Sequence, residues 1–124
     1  MAGFSYTRAD ALRDGVLIDV TERAWEASFR IPVAVTAAAW ADVVEWPETE
    51  PAIQDESGRL CDILFMASVV ARAAARLGKR GRITFELCVV PRGGEVPERT
   101  QVDLHVGPGD RGEPVATIME PGED

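Results

Sequence analysis

From Leu60 to Leu77 the apolar residues Leu60, Ile63, Leu64, Ala67, Val70, Ala71, Ala74 and Leu77 recur at three-and-four spacing, which only a helix converts into one continuous stripe. Phe65, Met66 and Val69 widen that stripe, so the spacing predicts a long, central helix with most of its circumference covered. Ser57 is the expected N-terminal cap and Gly78 the C-terminal stop. Arg72 and Arg76 interrupt the stripe, which falls short of the ~18 to 20 consecutive apolar residues that cross a bilayer. A membrane location is therefore not expected.

Beyond Gly78 the period changes from helical to alternating. Ile83, Phe85, Leu87 and Val89 fall on one side of an extended segment, with Thr84, Glu86, Cys88 and Val90 on the other. Val102, Leu104 and Val106 repeat the pattern after a long Pro91-Arg92-Gly93-Gly94 connection, and Pro114 to Met119 forms a third strand after the glycine-rich turn 107–112. The N-terminal half is less regular. A short strand is expected around Gly15 to Val20, then a helix capped by Thr21, an extended stretch from Phe29 to Val35, and a second short helix capped by Thr36. Pro47 and Pro51 close that helix. The expected fold is one α+β domain over residues 1–124, in which an antiparallel three-stranded C-terminal meander packs against one long helix, with a shorter strand and helices ahead of it.

With 46% hydrophobic residues, a chain of 124 residues can build this core without disulfide or metal staples. Cys61 and Cys88 lack the CxxC spacing of a metal or redox site, and as two reduced, buried thiols they fit a cytoplasmic protein with no leader sequence. His105 is the single histidine, so neither a metal nor another cofactor is expected. Across adjacent strands Cys88 and His105, with Asp103 beside the ring, could form a small thiol hydrolase; the plainer reading is a solvated sheet face.

Charge decides more. The chain has 13 basic and 21 acidic residues, net −8, which disfavours direct nucleic-acid binding because that affinity comes mostly from replacing counterions with Lys and Arg. Residues 1–62 hold 5 basic against 12 acidic residues, or −7. The basic residues Arg72, Arg76, Lys79, Arg80 and Arg82 gather at the end of the long helix, where cations complement its dipole. The acids include Asp42, Glu45, Glu48, Glu50, Asp55 and Glu56, in a tract that surrounds Trp40 and Trp46. Carboxylates with aromatic anchors suit a protein partner that presents a basic surface, because complementary potential speeds encounter and buried aromatics slow escape. An accessory subunit that oligomerises through exposed apolar residues such as Phe4, Tyr6 and Phe29 is the remaining reading.

Gly15-Val16-Leu17-Ile18-Asp19-Val20, Ser57-Gly58-Arg59-Leu60 and above all the closing run Gly107-Pro108-Gly109-Asp110 through Glu120-Pro121-Gly122-Glu123-Asp124 resemble an uncharacterised family of plasmid and integrative-element proteins. The resemblance spans most of the chain and brings no catalytic residues; where the family usually carries a bulky aromatic, this chain has Cys61. It implies the company of mobile-element genes that counter host restriction or CRISPR defence. The expected function is thus a non-enzymatic, acidic anti-defence protein that mimics nucleic acid and blocks a basic groove of a host defence complex.

Overall fold

The computed structural model describes residues 5–47, 49, 54–79 and 81–123. Its elements, in chain order, are α1 (Arg8–Arg13), β1 (Leu17–Asp19), α2 (Thr21–Glu26), β2 (Val33–Thr36), the single turn α3 (Ala37–Ala39) running into a π-turn at Trp40–Val44, α4 (Glu56–Arg76), β3 (Gly81–Val89), β4 (Glu98–Pro108) and β5 (Pro114–Met119). The strands form one five-stranded sheet ordered β1-β2-β5-β4-β3.

The expected meander is present as β3-β4-β5, but it is not a separate three-stranded sheet. β2 runs parallel to β5, with Val33, Ala34 and Val35 opposite Ala116, Thr117 and Ile118, and β1 pairs antiparallel on the outer side of β2. The reason is burial: all four residues of β2 and five of the six in β5 are buried, so each needs a neighbour on both edges. That pairing joins segments from the two ends of the chain, which no local pattern specifies.

Register sorts the sheet into two faces. Val33, Val35, Ala116, Ile118, Leu104, Val102 and Phe85 share one face and form a single core with Leu60, Ile63, Leu64 and Ala67 of α4. Asp19, Ala34, Thr117, His105, Arg82, Thr84 and Asp103 share the other. α1 is tied down beside that second face: the Arg8 guanidinium donates to Thr117 Oγ1 at 2.7 Å and to the Ala116 carbonyl at 3.0 Å. A capping box starts α1, with Asp10 N–H donating to Thr7 Oγ1 and Thr7 N–H to Asp10 Oδ2.

α4 lies against the apolar face rather than at the centre of the protein. Its inner side is buried, but Phe65 is 58% exposed and Val69 39%, so the outer stripe has no cover among the described residues. Its cap is Asp55, whose carboxylate accepts from Gly58 N–H at 2.6 Å, and not Ser57, which lies inside the first turn. Gly78, at φ 70°, ends the helix as expected. Thr21 likewise does not cap α2; its hydroxyl donates to Asp19 and accepts from Val33 N–H, linking β1 to β2. No helix among the described residues is long and apolar enough to cross a membrane.

Candidate functional site

Three carboxylates meet where the π-turn approaches the segment after β5. Thr36 starts α3 by accepting from Ala39 N–H, and its hydroxyl donates to Glu123 Oε1 at 2.7 Å. Glu120 N–H donates to the same oxygen at 2.7 Å, so Glu123 folds back over its own turn. The π-turn carries exposed Asp42 to Glu120, and the two side chains share a hydrogen bond. That bond with Asp42, reinforced by burial and by the negative charges of Asp42 and Glu123, pushes the Glu120 carboxyl up to about 7. A Glu120 carboxyl that keeps its proton longer carries less like charge against its neighbours.

Arg82 stands next to the cluster without entering it. Its guanidinium pairs with Asp103 and donates to the backbone carbonyls of Glu120 and Glu123, the former at 2.9 Å. Asp103 is 4% exposed, and burial would raise its pKa; hydrogen bonds from Thr84 and Arg82, together with the Arg82 charge, outweigh that and hold it below the usual carboxylate range.

A second arrangement supports the π-turn from inside. Arg59, also 4% exposed, donates from Nε to the Val44 carbonyl at 3.0 Å, from Nη1 to Val90 at 2.6 Å and from Nη2 to Asp42 at 3.3 Å. Its guanidinium carbon lies 5.0 Å from the centre of the Trp46 ring. Burial lowers its pKa, and the nearby charge of Arg92 adds to the effect. One side chain thus fixes the turn that presents Asp42, the end of β3 and the start of α4.

The structure separates the expected site residues. Trp46 is buried under Arg59 and cannot anchor a partner, and Trp40 is half-buried against the core. Glu45 pairs with Arg92 at 3.2 Å, Asp55 is occupied as the α4 cap, and Glu56 is exposed at the start of α4. Glu48 and Glu50 lie outside the described residues. Other early acids among the described residues are taken up in local ion pairs: Asp10 and Asp14 face Arg13, and Glu26 faces Arg23. Among the described residues of the expected set, only Asp42 joins the cluster.

Cys88 and His105 do not meet either. Cys88 is opposite Arg99 and His105 opposite Arg82, six positions away along β3, which is about 20 Å at ~3.4 Å per residue. Asp103 bonds Arg82 and Thr84 instead of the imidazole, and both Cys61 and Cys88 are exposed rather than buried. Phe29, expected at an oligomer surface, is in the core; Tyr6 is exposed, and Phe4 lies outside the described residues. Among the described residues no group of three or more His, Cys, Asp or Glu is arranged to hold a metal ion.

In the sequence Glu120 reads as a solvated acid and Glu123 as part of the tail, and neither carries a local signal of the cluster. Arg59 does carry one: its position four residues before Ile63 places it on the buried side of α4.

Residues 3–124 match the model of a family of unknown function, DUF6573. The chain belongs to that family. No curated protein and no solved structure matches it. The resemblance seen in the sequence thus stands at the level of an uncharacterised family, and the acidic cluster lies wholly within the matched residues.

Proposed function

We propose that this is a non-enzymatic docking protein that uses the corner formed by Asp42, Glu120 and Glu123 to bind a partner with a basic surface. The reading rests on one observation: carboxylates from two distant segments are held together, Glu123 by Thr36 Oγ1 and Glu120 N–H and Glu120 by its bond with Asp42, which pushes the Glu120 carboxyl up to about 7. A cationic side chain arriving there would replace the shared proton and relieve the repulsion, so the corner favours a positive partner more than three scattered acids would. The overall charge of −8 adds long-range steering toward the same class of partner.

The resemblance to plasmid and integrative-element proteins narrows the proposed partner to a basic, nucleic-acid-binding groove in a host defence complex of the CRISPR or restriction type. Pull-down of such effectors with the full-length protein across a salt series tests the proposal. Binding that weakens with salt and is lost in Asp42→Lys and Glu120→Lys supports it. Salt-insensitive binding, or binding unchanged by both substitutions, rejects it.

A further inference from the structure

We propose that the outer stripe of α4 is a self-association surface, and that a second copy of this chain lies antiparallel across it. Cys61, Phe65, Val69, Arg72 and Arg76 follow one another at three-and-four spacing on the side of α4 facing away from the sheet, and all five are exposed. Phe65 and Val69 form the apolar centre. Beside Phe65 runs a groove of about 440 Å³, lined by Cys61, Asp62, Phe65, Met66, Leu87 and Cys88, which offers a place for an apolar side chain from outside.

The charges along the helix identify the occupant. Within α4 the N-terminal part of the stripe carries the exposed carboxylate of Asp62 and the C-terminal part is basic, with Arg72 and Arg76. Laid antiparallel with a two-fold axis level with Ala67, two copies bring Asp62 opposite Arg72 and Phe65 opposite Val69. Each match occurs twice, as a self-complementary two-fold interface requires. A parallel arrangement would set acid on acid and base on base. Antiparallel packing also opposes the two helix dipoles favourably, and Gly58 and Ala73 leave room near the ends of the contact. One helix pair covers less than the ~1,600 Å² of a standard interface, so association is expected in the micromolar range rather than below it.

This surface does not use Asp42, Glu120 or Glu123, so it stands or falls independently of the docking proposal. The test is sedimentation velocity on the full chain from about 10 to 500 µM at low salt. The expected result is a concentration-dependent dimer that D62R and R72D each weaken about tenfold or more, because each single change puts two like-charged pairs in the interface. Both positions are exposed, so both variants keep the fold, which circular dichroism checks. The double variant D62R/R72D restores both pairs with signs exchanged and should dimerise again, while F65E should not. A monomer throughout the range, a dimer that persists in F65E, or a double variant no better than the singles would each overturn the proposal.

Discussion

Replacing Arg59 by Met keeps most of the volume and removes the guanidinium that joins the π-turn, β3 and α4. Three backbone carbonyls, of Val44, Val90 and Asp42, lose their donor together, and Trp46 loses the cation over its ring. Hydrogen bonds to a charged group contribute roughly 1.5–3 kcal/mol each, and a cation over an aromatic ring about 0.5–2 kcal/mol. These do not add, because one buried guanidinium makes all of them and its own desolvation, several kcal/mol, is recovered when it is removed. A net loss of about 3 kcal/mol is the reasoned value, a large part of the ~5–15 kcal/mol of a typical domain. In urea, with a slope of roughly 1–3 kcal/mol per molar, the unfolding midpoint should fall by about 1–3 M at unchanged slope. Arg59→Lys keeps the charge without the planar fork and should recover about half of the loss. A midpoint for Arg59→Met within about 0.3 M of wild type would refute the assignment of Arg59 as the strut of this region.

Glu120 has a folded pKa raised to about 7 from an ordinary 4.5, so its stabilising contribution is fully present below the lower value and is lost as pH rises through the higher one. Thermal melts should therefore show a stability decrease between about pH 5 and pH 8 that Glu120→Gln removes; an equal decrease in the variant would contradict the shared proton. Asp55→Ala should cost about 1 kcal/mol in chemical denaturation, with Ser57→Ala within ~0.5 kcal/mol of wild type, and the reverse order would show the cap to be misassigned. Ser28 closes α2 at φ 77°, a left-handed conformation that disfavours a side chain, so Ser28→Gly should raise stability by about 0.5–1 kcal/mol and a loss would refute that reading.

Local chemistry makes much of this protein legible without its structure. The stripe from Leu60 to Leu77 marks α4, Gly78 its end, Thr36 the start of α3, and the alternation of Ile83, Phe85 and Val102, Leu104 the strands that face it. These features depend on residues within a turn or a pleat of one another, so spacing alone identifies them. Thr7-x-x-Asp10 is equally local, and its capping box shows that α1 was readable too.

Tertiary structure alone decided the rest. β2 found β5 across most of the chain, Trp46 was buried beneath the Arg59 guanidinium, and early acids among the described residues were drawn into pairs with nearby arginines. Glu120 and Glu123 met Asp42 only because the sheet brings the segment after β5 against the π-turn. Charge and hydrophobicity are properties of residues and are fixed by composition, whereas proximity between distant residues is a property of the packed chain. The sequence therefore determined that the protein is acidic and α+β, and folding determined which few carboxylates stand close enough to act together.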